Sequence, residues 1–341
     1  MNIPKSLLAI YFCIISFGMT AQELHTPQEV EQYMKKSTIQ YQIDSLSVEL
    51  ESVFLPLIEK GNFLEKTEKG LHIKQQEFLL HKKSKRFYKK AVAKEKYEKA
   101  IKYYTKAIEA QSDQLRLMNE FANFYWENGD WENVVFWAAK GVELNPIDFE
   151  AHVRLALAYQ NLGKRTEALE HIIAAHLYNR NHSKVIEALR SIFAENGMNY
   201  QGHIFEPEYK IENIDSNQVS IQADFEPWRS YAACKALWRN EETYRTEMSH
   251  LAKVSITSIE QKECLLNALI GYGKMETGKE KFPIFKVLEK SLQHRMIDDF
   301  IFYEIKLRQD PTLIYFLSKE KKQRIVRYLK TIRVGKGVTP E

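Results

Sequence analysis

The chain has 341 residues, a formal net charge of +4 and 44% hydrophobic residues, the composition of a folded globular protein and not of a disordered one. It contains only 13 glycines and 9 prolines, whereas these two residues together average about 12% of a typical chain. This shortage excludes collagen-like chains and disfavours all-β sandwiches and barrels, which need many tight turns. The small net charge gives no general reason to expect nucleic-acid binding. The composition therefore predicts an all-α fold of long helices with short connections.

The first 21 residues have the three parts of a signal peptide. Lys5 supplies a positive charge, residues 7–17 form an uncharged and mostly apolar run, and residues 18–21 are mostly small. Cleavage after Ala21 would export the mature protein, to the periplasm or as a secreted protein. The alternative, an uncleaved membrane anchor, is disfavoured by the short apolar run. Bulky residues precede Cys13, so a lipoprotein is not expected, and neither is an integral membrane protein after cleavage.

Residues 22–80 show helical periodicity and predict an N-terminal helical extension. Thr26, Pro27 and Glu29 have the pattern of a helix start with a capping box. An apolar stripe at helical spacing follows, formed by Ile43, Leu46, Leu50, Phe54 and Leu57. Pro56 is expected to end or kink that helix.

The sequence then repeats itself with a period of 34 residues, over 81–114, 115–148 and 149–182, with a partial fourth copy over 183–197. A large apolar residue stands at one equivalent position, as Phe87, Phe121 and Leu155. A glycine stands at another, as Gly129, Gly163 and Gly197. Glycine suits the end of a helix because it adopts the left-handed conformation that a Cβ resists. Each copy is therefore predicted to be a helix, a turn and a second helix.

This pattern resembles the tetratricopeptide repeat (TPR), and the resemblance covers residues 81–197. The first copy departs from it at Tyr88, Ala91 and Glu95. The resemblance implies a helical solenoid, whose copies stack because one repeat cannot bury its own apolar face. It also implies a non-enzymatic scaffold without a cofactor, which binds a protein or peptide partner in a concave groove lined by the first helix of each repeat.

Carried onto this chain, the groove positions are Lys85, Lys89, Arg116, Asn119, Asn123, Trp126, Gln160 and Asn161. Their N–H donors suit a carboxylate or a peptide backbone, and Trp126 offers an anchoring face. The simpler interpretation is that these residues are solvated helix surface. The two-carboxylate clamp of some TPR domains is not expected, because Glu120 and Glu150 stand at clamp positions and would repel a carboxylate.

Two stretches are strongly basic. Residues 82–106 hold eleven Lys or Arg against two Glu, and residues 319–336 hold eight against one. They support an alternative function, in which an envelope protein binds an anionic glycan or lipid through basic helical faces. The simpler interpretation is again a solvated surface. Nucleic acid is not expected as a partner of an exported protein.

The repeat pattern ends at Gly197. Residues 198–226 are predicted to form an irregular bridge, with a hairpin around residues 215–217 because β-branched residues flank that turn. Helical periodicity returns over 227–341, with helices predicted from Pro227, over 259–272, over 285–294 and over 319–333. No known family is recognised in this C-terminal region.

No catalytic or metal-binding motif stands out, so neither an enzyme nor a metal site is expected. His171 and His176 are five residues apart, which does not suit a helical metal pair. After cleavage of the signal peptide the remaining cysteines are Cys234 and Cys264, for which a disulfide and two buried thiols both stay open. The sequence indicates neither the identity of the partner nor the oligomeric state.

Overall fold

A computed structural model describes residues 24–47, 50, 56–68, 70–93, 96–249 and 258–336. The predicted signal peptide lies outside these residues. The chain divides into two compact units: a repeat unit of residues 55–201, 306–327 and 334–341, and a mixed unit of residues 1–54, 202–305 and 328–333. Within the described ranges, no helix is long and apolar enough to span a membrane.

The elements, in chain order, are α1 (Pro27–Lys36), β1 (Gln40–Asp44), β2 (Asn62–Thr67), β3 (Gly70–Gln75), α2 (Lys82–Val92), α3 (Tyr97–Ala110), α4 (Leu115–Glu127), α5 (Trp131–Leu144), α6 (Phe149–Asn161), α7 (Arg165–Tyr178), α8 (Ser183–Glu195), β4 (Met198–Tyr200), β5 (Lys210–Asn213), β6 (Gln218–Gln222), α9 (Glu226–Asn240), α10 (Glu242–Ser249), α11 (Ser258–Lys274), α12 (Ile284–Gln293), α13 (Ile297–Phe300), α14 (Leu307–Gln309), α15 (Lys319–Thr331) and β7 (Val334–Lys336). A π-helical turn, Ile301–Lys306, joins α13 to α14.

The predicted helical solenoid is confirmed. Four first helices (α2, α4, α6 and α8) alternate with three second helices (α3, α5 and α7). The glycines that end three of the first helices have left-handed backbones, with φ of 70° at Gly129, 70° at Gly163 and 68° at Gly197. A Cβ at any of them would meet no atom within 4 Å. The backbone conformation, and not a shortage of space, therefore requires glycine at these turns.

Aromatic and small residues hold successive repeats together. The Phe121 side chain is 0% exposed, and its ring stacks on that of Tyr104, from the preceding repeat, at 4.8 Å between centroids. Leu155 takes the same place one repeat later and is 1% exposed. Ala122 and Ala156, which follow them, are fully buried and let the neighbouring helices approach closely. No repeat buries its apolar residues alone, as expected of a solenoid.

The N-terminal helical extension is only partly present. The capping box forms as predicted, since the Thr26 N–H donates to Glu29 Oε2 at 2.7 Å, and α1 follows it. The helical stripe predicted over residues 43–57 is wrong, because Ile43 lies in β1 and is 45% exposed. Strand β1 pairs in parallel with β6, so its backbone groups bond a strand that local periodicity cannot reveal. Phe54 lies outside the described residues.

The segment over residues 56–81, which we call the strap, belongs to the repeat unit. It is extended apart from the antiparallel hairpin of β2 and β3. The Gln76 N–H donates to the Gly61 carbonyl at 2.9 Å and closes the base of this hairpin. Gly61 has a left-handed φ of 77°. The hairpin therefore branches off a strap whose two arms, residues 56–61 and 76–81, meet at its base.

The mixed unit combines a three-stranded sheet with helices. Its strand order is β1-β6-β5, and the predicted hairpin is confirmed because β5 and β6 pair antiparallel around residues 214–217. The predicted helices from Pro227 and over 259–272 are α9 and α11, which pack against each other. The other two predicted C-terminal helices are α12 and α15. Near the end of the chain, β7 pairs with β4 of the repeat unit.

Candidate functional site

The first helices of the repeats lie side by side, with α4 next to α6 and α6 next to α8. Their polar residues bond across these neighbours. Arg154 Nε donates to Asn123 Oδ1 at 2.7 Å, and Gln160 Nε2 donates to Ser191 Oγ at 3.3 Å. Gln160 also donates to Glu195. The predicted residues Asn123 and Gln160 therefore lie on one continuous surface.

The Arg154 guanidinium is the most unusual group on this surface. Its Nη1 is buried and has no hydrogen-bond partner among the described residues. A buried N–H donor without an acceptor costs free energy, about 1–3 kcal/mol and more for a charged group. Sequence reasoning considered Arg154 only as a clamp position, and no local signal marks it as unpaired. It can donate to a carbonyl or carboxylate oxygen supplied by a ligand.

Four further predicted residues lie at the surface of the first helices. Trp126 is half-buried, edge-on to Trp131 at 4.9 Å between ring centroids. Arg116 is exposed and its guanidinium lies 4.8 Å from the centre of the Phe78 ring. Lys85 and Lys89 are both exposed on α2. Together with Asn123, Arg154, Gln160 and Asn161, these residues are called the first-helix face.

Asn161 and Asn119 serve the fold. Asn161 is exposed, but its Nδ2 donates to the Leu157 carbonyl of its own helix at 2.8 Å. Asn119 is only 4% exposed, and its Nδ2 donates to Asp148 Oδ2 at 2.9 Å. Asp148 caps α6 by accepting from the Ala151 N–H. The prediction that Asn119 lines the groove is therefore wrong, because its amide is used up inside the repeat packing.

The two basic stretches differ in structure. The lysines of α2 are mostly exposed. In the second stretch Arg333 is 2% exposed and its Nε lies 3.4 Å from the buried Glu304 Oε1, which also accepts from Tyr328 Oη at 2.8 Å. Lys322 is partly buried over the Tyr178 ring, and burial lowers the pKa of its amine. Only the first stretch forms a continuous exposed basic surface.

A sequence profile described as tetratricopeptide repeat matches residues 91–114, which cover the end of α2, all of α3 and the loop after it. The chain contains tetratricopeptide repeats. A solved structure similar to part of it is described as the first TPR of Spaghetti (RPAP3) bound to the HSP90 peptide SRMEEVD. The two chains are 23% identical, the match covers 33% of this chain and 95% of that one, and the TM-score is 0.31. The comparison with curated proteins found no match.

The TPR repeats hold the strap through three amide side chains that sequence reasoning missed. These amides cap the ends of the second helices α3, α5 and α7 at intervals of 34 residues, as Gln111, Asn145 and Asn179. Each donates to a strap carbonyl, that of Leu79 at 3.0 Å, Asn62 at 2.8 Å and Ile58 at 3.0 Å, respectively. All three are at most 9% exposed. We call this set the amide ladder.

The strap also changes the charge of the first-helix face. Lys60 Nζ lies 2.6 Å from Glu150 Oε1, and Arg116 Nε lies 3.8 Å from Glu120 Oε1. These are the two acidic residues whose charge opposes a carboxylate ligand. Each therefore has a basic neighbour, and the lysines of α2 leave the face basic at one end.

Two histidines meet between α6 and α7 of the third TPR repeat. The Nδ1 atoms of His152 and His171 lie 3.0 Å apart, and His152 Nε2 lies 3.1 Å from the Pro146 carbonyl. If Nε2 carries the His152 proton, Nδ1 is left to accept from His171. Burial lowers the pKa of His152 to about 4 and also lowers that of His171. No group of three His, Cys, Asp or Glu side chains in the described ranges could hold a metal ion.

In the mixed unit, a fully buried carboxylate joins three elements. Glu263 Oε2 on α11 accepts from Trp238 Nε1 on α9 at 2.6 Å, and its Oε1 accepts from the His25 N–H at 2.8 Å. His25 Nδ1 lies 3.1 Å from the same Oε1. The hydrogen bond to Glu263 raises the pKa of His25 against the opposing effect of burial. The N-terminal segment is therefore fixed to the helices by a charged pair.

Proposed function

We propose that this protein is an exported, non-enzymatic scaffold that binds an extended segment of a partner protein along the first-helix face. The observation that carries the proposal is the Arg154 guanidinium, whose buried Nη1 has no acceptor among the described residues. A ligand oxygen placed there would satisfy it. The matching TPR profile, typical of interaction domains, supports the same function.

Donors from three repeats suit an extended peptide. Lys85 and Lys89 come from the first repeat, Arg116 from the second and Arg154 from the third. An extended chain presents backbone carbonyls at regular intervals of about 3.3 Å per residue. The half-buried Trp126 adds an apolar surface for one side chain of the partner. Binding would thus combine backbone recognition with one anchoring side chain.

Display of a random peptide library against the immobilised full chain tests the proposal. Selected peptides would be measured on the wild type, on Arg154→Ala and on Trp126→Ala. Loss of a charge-assisted hydrogen bond is expected to weaken binding to Arg154→Ala about tenfold or more. Equal affinity of the selected peptides for the wild type and both variants would contradict the proposal.

Arg165→Ala is the matched control, because Arg165 is an exposed arginine on the second helix α7, away from the first-helix face. It is expected to bind the selected peptides like the wild type. Arg154→Lys separates charge from geometry, since lysine keeps the charge but not the planar donor fork. Circular dichroism and thermal unfolding of each variant would show that the fold is intact.

Export is part of the proposal and rests on the sequence of residues 1–21. The charged residue, apolar run and small residues stand in the order of a cleavable signal. An exported protein meets partners in the cell envelope or outside the cell. The partner is therefore proposed to be an envelope or extracellular protein.

A second candidate function is binding of an anionic lipid surface by α2. Six of the 11 residues of α2 are Lys or Arg and none is acidic. Its outward face is formed by Lys82, Lys85, Arg86 and Lys89, all exposed, and none lies in an ion pair within the described residues. Leu79 and Val92, near the two ends of α2, are 67% and 59% exposed. Exposed apolar side chains beside basic ones suit a lipid interface better than a glycan.

Flotation with vesicles of anionic or neutral lipids tests this candidate. Binding only to anionic vesicles, weakened by high salt, is expected because surface charges are screened. Lys82→Glu with Lys85→Glu should abolish it, whereas Lys164→Glu with Arg165→Glu, at exposed residues of another repeat, should not. Binding to dextran sulfate without binding to vesicles would assign the surface to a glycan instead.

A further inference from the structure

Cys234 on α9 and Cys264 on α11 face each other inside the mixed unit. Both are free thiols in the structure and both are 0% exposed. Their Sγ atoms lie 2.9 Å apart. A disulfide bond is about 2.05 Å long, so the two sulfurs are within about 1 Å of bonding distance.

The packing of α9 against α11 explains how the thiols come so close. The helices run antiparallel, since Gly271 lies beside Glu226 at one end of the pair and Lys235 pairs with Glu260 towards the other. A Cβ on Gly271 would lie 2.8 Å from the Glu226 carbonyl oxygen. The helix backbones therefore approach more closely than ordinary side chains allow. A disulfide needs such an approach, because its Cα atoms are only about 4.4–6.8 Å apart.

The polar surroundings of the thiols also tolerate their loss as donors. Cys234 Sγ lies 3.7 Å from Glu263 Oε2, a weak contact. The same oxygen accepts a strong hydrogen bond from Trp238 Nε1 at 2.6 Å. Removing the Cys234 proton therefore leaves the buried carboxylate satisfied. No other rearrangement of this cluster is required for the sulfurs to join.

We propose that Cys234 and Cys264 form a disulfide in the exported protein and lock α9 to α11. Export, part of the proposed function, supplies the oxidising compartment; the geometry of the pair does not depend on it. The oxidant is a small-molecule or protein disulfide, RSSR. The two thiols lose two electrons and form one S–S bond, while the oxidant is reduced and leaves with the two protons as two RSH.

The bond forms during folding, before the helices close. Once folded, both sulfurs are inaccessible to an oxidant. Burial also raises the pKa of the Cys234 thiol well above its usual value, so little reactive thiolate is present. The folded dithiol is therefore expected to oxidise slowly, and the folded disulfide to resist reductants.

The test uses the full chain with Cys13→Ser, so that two cysteines remain. The protein is unfolded, refolded with oxidised and reduced glutathione, and alkylated with N-ethylmaleimide in denaturant. A non-reducing tryptic digest is expected to join the peptides of residues 230–235 and 263–274, with no alkylated thiol. The oxidised protein should melt at least about 5 °C above the same protein treated with dithiothreitol.

Cys264→Ala is the matched control and should give one alkylated Cys234 and no joined peptide. Two alkylated thiols in wild-type protein with native circular dichroism would overturn the proposal. If refolding fails, the same digest is made on protein isolated from the exporting cells and alkylated at lysis. Free thiols there would overturn the proposal equally, whereas its success or failure leaves peptide binding by the first-helix face untouched.

Discussion

Asn179 and Ile58 exchange two hydrogen bonds, as two strands of a sheet do. The Ile58 N–H donates to Asn179 Oδ1 at 3.2 Å, and Asn179 Nδ2 donates to the Ile58 carbonyl at 3.0 Å. Gln111 does the same at the other end of the strap, bonding the Leu79 carbonyl and the His81 N–H. Because these partners are backbone groups, the amide ladder holds the strap by its main chain.

Removing a rung of the ladder should destabilise the protein. Asn179→Ala leaves both backbone groups of the buried Ile58 without their partner, which costs about 1–3 kcal/mol. Asn145→Ala should cost a similar amount. Urea unfolding monitored by circular dichroism gives the free energy of unfolding of each variant. Asn161→Ala is the control, since this exposed amide bonds only its own helix; an equal loss there would contradict the assignment.

The His152–His171 pair should weaken the protein in acid. Burial lowers the folded-state pKa of both imidazoles below the ordinary value of 6.5, and that of His152 to about 4. The unfolded chain therefore binds more protons below pH 6.5, and stability falls as the pH decreases from there towards 4. For His152 alone the loss approaches about 3 kcal/mol. His152→Asn should flatten this part of the stability curve in urea titrations; an unchanged slope would contradict the argument.

The His25–Glu263 pair should have the opposite pH dependence. The hydrogen bond to Glu263 raises the folded-state pKa of His25. The charged pair thus contributes fully below the unfolded value of 6.5, and its contribution disappears as the pH rises through the folded-state pKa. His25→Gln keeps a donor but no charge. Its deficit in unfolding free energy should be largest below pH 6.5 and shrink above it, and a constant deficit would show that the charge is irrelevant.

The signal peptide gives a prediction about the N-terminus of the exported protein. The intact mass of protein from the envelope or culture medium should match a chain beginning at Gln22. Ala21→Leu should accumulate the precursor, because the cleavage site needs small residues. Uncleaved protein in the cytoplasm would contradict the prediction. Cleavage after Ala21 leaves His25 on the mature chain, so its contact with Glu263 is preserved.

Sequence predicted those parts of the fold that local rules determine. The left-handed turns at Gly129, Gly163 and Gly197 follow from the conformational freedom of glycine at a helix end. The stripe from Ile43 to Leu57 misled because β1 finds its partner β6 far away in the chain. Periodicity describes a segment by itself, and a strand pairing over such a distance overrides it.

The candidate site was predicted less completely. Asn123 and Gln160 do lie on the first-helix face, but Asn119 is buried against Asp148. The TPR positions say which way a helix residue points, and not whether a neighbour already uses its donors. The amide ladder had a sequence signal, an amide at every 34th residue, but its partners are backbone carbonyls, which any residue carries.

The amide ladder makes the strap a ruler for the solenoid. On each side of the hairpin base, three or four strap residues follow the repeats while the repeats themselves advance by 34. An ancestor that gained or lost one TPR repeat would also have had to lengthen or shorten the strap by about four residues, since an extended chain spans only about 3.3 Å per residue. The number of repeats in this protein is thus tied to a segment that lies outside them.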